Sequence, residues 1–202
     1  MTTFELLGDD PEERRETIAL VTDELDRMSR FVEDLLTLAK AERRDFLRPQ
    51  HLDLDVLTEE LMAKATALGL RDWRVDGVGT GRLSADRQRL TQAVMNLAHN
   101  AVQHTGEGDL IALGSELRNG HARLWVRDSG PGVADAERER IFERFARAGD
   151  RRHSDGAGLG LAIVRAIADA HGGRVLLDTR LGFGSTFTIE IPTEPHQEVR
   201  AP

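Results

Sequence analysis

Two amides on one helical face, a carboxylate ahead of closely spaced glycines, and a glycine-rich loop leading into a helix offer the most chemistry in this 202-residue chain. In Asn96-Leu-Ala-His-Asn100-Ala-Val-Gln103-His104, spacings of four and three place Asn96, Asn100 and Gln103 on one face while Leu97 and Ala101 turn to a core. An amide carbonyl is a hard ligand suited to Mg²⁺, which takes few protein ligands beside phosphates and waters. The same amides could equally line a solvated helix face. Asp128-Ser129-Gly130-Pro131-Gly132 follows a strand pattern. A carboxylate there can accept a hydrogen bond from an exocyclic amine such as that of adenine, while the glycines let a ring approach the backbone; the composition is also that of an ordinary turn.

Asp155-Gly156-Ala157-Gly158-Leu159-Gly160-Leu161-Ala162 runs into a helical pattern, so free backbone N–H groups at a positive dipole end could cradle phosphates. The G-x-G-x-G spacing is not the dinucleotide fingerprint, and a flexible linker has the same composition. Gly182-Phe183-Gly184-Ser185-Thr186-Phe187 opens a strand, where Thr186 could add a hydroxyl to the floor of a site or simply follow a hairpin turn.

These segments need a scaffold. Helical periodicity covers residues 55–68, Asp86–His104 and Leu159–His171, with a short helix expected near Ala136–Phe145. Strand patterns fall at His51–Asp55, Trp73–Val78, Arg82–Ser84, Leu110–Leu117, His121–Arg127, Arg174–Asp178 and Ser185–Ile191; Asn119-Gly120 is a favoured hairpin turn. The order predicts an α+β fold, a two-layer sandwich with a mixed, mostly antiparallel sheet and helices on one face. Ahead of it, Asp10-Pro11-Glu12-Glu13 reads as a capped helix start. Ile18, Val21, Leu25, Met28, Val32, Leu35 and Ala39 then keep heptad spacing along a helix of roughly 30 residues whose seam must meet other helices, the alternative being a solitary helix packed on the domain behind it. Thr2–Leu7, stopped by Gly8, reads as the end of a preceding helix. The division expected is 1–42 helical hairpin, 43–50 linker, 51–192 sandwich and 193–202 disordered tail.

Composition excludes several classes. Lys+Arg 27 against Asp+Glu 35 gives a net charge of −8, the wrong sign for a nucleic-acid phosphate track. No cysteine is present, which removes disulfides, thiolate metal sites and cysteine nucleophiles. No apolar run is long enough to span a bilayer, and the start is not a signal peptide.

The order of asparagine-rich helix, strand with DSGPG, Ile141-Phe-Glu-Arg144-Phe145, GAGLGLAI and GST resembles the catalytic ATP-binding domain of two-component sensor histidine kinases, over about residues 50–192. Glu24-Leu-Asp-Arg-Met-Ser-Arg-Phe-Val-Glu-Asp-Leu-Leu-Thr-Leu-Ala-Lys40 resembles the second helix of that family's dimerisation and phosphotransfer hairpin. The resemblance implies that Asn100 binds Mg²⁺ between the phosphates, supported by Asn96, and that Asp128 binds the adenine amine with Thr186 assisting through water. Gln103 and His104 would lie beside the nucleotide, and Gly130, Gly132, Gly156, Gly158, Leu159 and Gly160 would shape its loops. Phe142 and Phe145 would anchor a lid over Ala134–Gly156, with Arg144 and Arg147 directed at the γ-phosphate. Many relatives carry lysine where Gln103 stands, and glutamine cannot neutralise a phosphate.

The implied function is transfer of the γ-phosphoryl of Mg·ATP to a hairpin histidine and then to a response-regulator aspartate, in a cytoplasmic part of a parent protein whose membrane anchoring is left open and which forms a homodimer through the hairpin helix in its full-length form. The seven histidines are 51, 99, 104, 121, 153, 171 and 196, none in the heptad region or before it. The chain therefore reads as lacking its own phosphoacceptor. Two alternatives are a nucleotide-sensing dimeric scaffold and an ATPase of the related topoisomerase, Hsp90 and mismatch-repair group. The latter uses a glutamate where this chain has Asn96, which cannot take a proton.

Overall fold

The computed structural model describes residues 11–43, 45–146 and 158–194. The expected helix end at Thr2–Leu7, its stop Gly8, the cap Asp10 and the tail from 195 onward lie outside the described residues. A 30-residue helix α1 (Pro11–Lys40) leads to β1 (Gln50–Asp53), α2 (Leu54–Ala65), β2 (Asp72–Val75), β3 (Arg82–Ala85) and α3 (Arg87–Gln103). Then come β4 (Leu110–Arg118), β5 (His121–Asp128), α4 (Gly160–Ala170), β6 (Arg174–Arg180) and β7 (Gly184–Pro192).

Five strands form one sheet in the order β2-β4-β5-β7-β6, with β2 parallel to β4 and the other neighbours antiparallel. β1 and β3 make a separate antiparallel pair. Strand alternation sorts the sheet's faces. Leu113, Ala122, Leu124, Val126, Phe187 and Ile189 are buried on the face that carries α2, α3 and α4, while Arg123, Trp125 and Arg127 of β5 point to the uncovered face. The expected two-layer α+β sandwich is thus the observed one. The Asn-Gly hairpin also forms as read, with Asn119 and Gly120 both at positive φ, 51° and 75°.

The short helix expected near Ala136–Phe145 is instead two 3-10 turns, Asp135–Glu137 and Arg140–Phe142. The second turn ends at Glu143, whose backbone is extended (φ −76°, ψ 153°), and beyond it Phe145 adopts a left-handed backbone (φ 65°), its N–H donating to the Gly158 carbonyl at 2.9 Å.

The C-terminal part of α1 packs on the sandwich: Leu38 and Thr37 are buried, and Phe31 lies against the core. Higher up, Ile18, Val21, Leu25, Met28 and Val32 are each more than half exposed, so the seam exists and none of the described residues covers it. The segment after α1 is anchored. Phe46 is buried beneath the Arg89 guanidinium, 4.4 Å from its ring centre. Asp86 ties that segment to two helices: its Oδ1 caps α3 by accepting from Arg89 N–H, its Oδ2 accepts from Arg48 N–H at 2.8 Å, and its own N–H donates to His171 Nε2 at the end of α4. Asp86→Ala removes a cap and strands a linker N–H, so it should lower unfolding stability by about 2 kcal/mol. A urea titration showing a loss within about 0.5 kcal/mol, the range of an ordinary surface change, would contradict this role.

Candidate active site

The C-terminal half of α3, the end of β5 and the start of α4 converge at one end of the sandwich. α3 holds that place because Leu90, Val94, Leu97 and Ala101 are buried toward the sheet, which leaves Asn96 and Asn100 half-buried on the side and Gln103 exposed. Arg71 secures the turn after α3, donating from Nη2 to the Val102 and Thr105 carbonyls and from Nε to Thr105 Oγ1.

Asp128 is 6% exposed at the last position of β5. Its Oδ1 accepts from the Gly130 N–H at 2.9 Å. Burial pushes its carboxyl above the usual aspartate range, opposed by backbone N–H groups of Gly130 and Ser185 and by nearby His104. Glycine is required at 130, since a Cβ would come within 2.6 Å of the His104 carbonyl oxygen. The loop thus seats flush against the end of α3. Gly132 is equally constrained, at φ 73° with Arg180 backbone against it.

Asn96 Nδ2 donates weakly to the Gly160 carbonyl at 3.4 Å, joining the asparagine face to the start of α4. The N-cap residue of α4, Leu159, has no side-chain acceptor, and among the described residues the first N–H groups of the helix point to where an anion could sit. Leu159 is 1% exposed. Its side chain anchors the loop in the core and only its backbone can face a ligand. Gly158 has φ 70°, and a Cβ there would meet the Ala146 carbonyl oxygen at 2.8 Å.

Thr186 falls elsewhere. It pairs with Arg127 and Asp178, on the face opposite Asp128, whereas Ser185 pairs with Asp128. The buried Ser185 hydroxyl lies 2.9 Å from Thr179 Oγ1, which accepts from Val133 N–H. Ser185 is therefore the hydroxyl on the Asp128 side. Which of the two adjacent hydroxyls faces Asp128 is set by the pairing of β7 with β5, a long-range register.

Phe142 anchors its segment as expected, edge-on to Phe187 with centroids 6.2 Å apart. The Phe145 side chain is 58% exposed, so that residue holds by its backbone. Arg144 is exposed, with Nη2 3.9 Å from Glu42 Oε1. Arg147, Gly156 and the 147–156 part of the expected lid lie outside the described residues.

A buried carboxylate accessible to an amine, glycines that bring backbone close, an uncapped helix start and two amides suit a nucleotide: ring at Asp128, phosphates at α4. Among the described residues no cluster of three or more acidic or histidine side chains could hold a metal. Asn100 fits a Mg²⁺ carried mainly by phosphate oxygens and waters.

Residues 85–195 match the family described as histidine kinase-, DNA gyrase B- and HSP90-like ATPase. The probable sensor histidine kinase TcrY of Mycobacterium tuberculosis is 34% identical over 200 residues, covering 96% of this chain and 42% of the relative; the chain thus spans less than half of that protein's length. The crystal structure of histidine kinase ThkA in complex with response regulator protein TrrA is similar with a TM-score of 0.74 at 30% identity, over 96% of this chain and 55% of that one. Full-length ShkA in complex with AMPPNP gives 0.73 at 34% identity, over 91% and 39%. With its glycine loops and asparagine helix folded into one site, this chain belongs to the histidine kinase-, DNA gyrase B- and HSP90-like ATPase family, as a histidine kinase ATP-binding domain.

Proposed function

We propose that this chain is the catalytic part of a sensor kinase that transfers the γ-phosphoryl of Mg·ATP to a histidine on a dimerisation hairpin, from which it passes to a response-regulator aspartate. The observation that carries the reading is the convergence of Asn96, Asp128, Gly130 and Gly160 on one end of α3. Asp128 accepts from the adenine amine. Asn100 supplies a carbonyl to Mg²⁺, with Asn96 behind it, and Gln103 and His104 flank the phosphates and ring. Mg²⁺ when bound neutralises charge developing on the phosphates. Gly158, Gly160 and the α4 N–H groups cradle the phosphates, and Arg144 and Arg147 complete the charge around the γ-phosphoryl. Asn96 cannot deprotonate water, which disfavours hydrolysis.

Residues 1–42 serve as the hairpin part, with the exposed α1 seam pairing in a homodimer; 43–50 form the linker, 51–192 the ATP-binding unit and 193–202 a tail. A response regulator is the partner that receives the phosphoryl group, and the setting is cytoplasmic. Among the described residues no helix is long and apolar enough to cross a membrane.

Mixing the chain with labelled Mg·ATP and a purified hairpin bearing its own histidine tests this. Acid-labile label on the hairpin supports the reading; none at any concentration refutes it. A subsidiary test separates the two hydroxyls: Ser185→Ala should weaken nucleotide binding by about 1 kcal/mol, and Thr186→Ala should leave calorimetric affinity unchanged. The reverse order would return the role to Thr186.

A further inference from the structure

A cavity of about 390 Å³ opens at the other end of β5 from Asp128, lined by Arg118, His121, Arg123, Arg174, Glu190 and the Gly172-Gly173 turn after α4. The nucleotide site uses none of these residues. The sheet register places Arg123, Glu190 and Arg174 side by side on its uncovered face. Glu190 is 5% exposed, and both its oxygens are engaged: Oε2 accepts from Arg123 Nε at 2.6 Å, and Oε1 pairs with Arg174 Nη2 at 2.6 Å. Burial alone would raise the Glu190 carboxyl, but the two guanidiniums hold it below the usual range. It acts as a fixed internal counterion that orients two arginine forks.

Each guanidinium carries five N–H donors, so donors remain for the cavity. The Arg118 and Arg174 side chains are each 66% exposed. Glu116, on the neighbouring strand, reaches Arg118 and Arg123 only at 4.0 and 3.9 Å. Among the lining residues three guanidiniums face one carboxylate, an excess of two positive charges in a chain of net charge −8. Gly173 lies against the Glu190 carbonyl where any Cβ would collide, so the turn after α4 seats directly on β7.

We propose that this cavity binds a phosphate dianion, free or as a monoester. The net positive lining, with Glu116 at the edge of ion-pair range, suits an anion, and preoriented arginine forks match its oxygens. The volume is large beside the roughly 30 Å³ of a water, which leaves room for the group a monoester carries.

The test is amide NMR of the whole chain at constant ionic strength, titrated with inorganic phosphate and separately with O-phosphoserine. Saturable shifts are expected at Asn119–His121 and Gly172–Gly173, resolved from any at Gly158 and Gly160. Arg174→Gln and Arg118→Gln should each weaken them by about tenfold, the loss of one charge-assisted bond. Arg118→Gln leaves the Glu190 pairs intact and keeps the test valid if the other variant unfolds. Tighter binding of O-phosphoserine supports a phosphate carried on a larger molecule, and equal binding supports free phosphate. Absent or non-saturating shifts at these amides, or shifts unchanged in Arg118→Gln, overturn the proposal.

Discussion

Asn100→Ala should cut phosphoryl transfer to a supplied hairpin histidine by on the order of a hundredfold or more, the scale of losing one preorganised electrostatic contact at the reacting phosphates. Transfer of this kind is positioning plus charge stabilisation, with little covalent work for the protein. Among the residues assigned to the site, Asn100 alone is proposed to offer Mg²⁺ a direct carbonyl, and the absence of any acidic or histidine cluster leaves no substitute among the described residues. Gln103, uncharged and exposed, cannot compensate as a cation would. The variant should fold, because Asn100 is only half-buried on a helix anchored by Leu97 and Ala101. Acid-labile label on the hairpin at the unmodified rate would remove Asn100 from the metal site. The unmodified chain alone should incorporate no label, since its seven histidines all lie outside α1. Label that survives replacement of all seven would point to another acceptor.

Asp128→Asn should weaken nucleotide binding by about 1.5 to 3 kcal/mol, the range for a hydrogen bond to a charged group. The same change should raise the stability of the nucleotide-free chain. Burial makes the Asp128 charge unfavourable, and its raised pKa means that the folded state prefers the protonated form. The sign follows directly: on acidification this group adds stability while the affinity for adenine falls, because binding needs the carboxylate. Affinity should therefore begin to drop at a higher pH than an ordinary aspartate, near 3.8, would give. The Asn variant should lose that pH dependence. Calorimetry with unchanged affinity in Asp128→Asn would sink the adenine assignment.

What could be read from the residues depended on how local the determinant was. Asn119-Gly120 specifies a turn by its own backbone preferences, and the asparagine face of α3 follows from spacing along one helix. Ser185 and Thr186 are different: adjacent hydroxyls on a strand face opposite sides, and only pairing with β5 decides which joins Asp128. The stretch from Ala136 to Phe145 has helix-forming composition. It ends where Glu143 turns extended and Phe145 meets Gly158, distant in sequence. The heptad of α1 is plain in its periodicity, yet the partner of its exposed seam is not among the described residues. Asp86 marks only the start of a helical pattern in the sequence; its cap on α3 and its links to Arg48 and His171 arise from three segments meeting.

The central claim is that one site, between Asn96, Asn100, Asp128 and the start of α4, holds Mg·ATP. A crystal structure of the chain with Mg²⁺ and a non-hydrolysable ATP analogue tests it most directly. The adenine amine is expected within hydrogen-bond distance of the Asp128 carboxylate, the metal on the Asn100 carbonyl, and phosphates at the N–H groups of Gly160 and Leu161. An analogue seated elsewhere, for instance with its phosphates in the arginine cavity at the far end of β5 and Asp128 untouched, would contradict it.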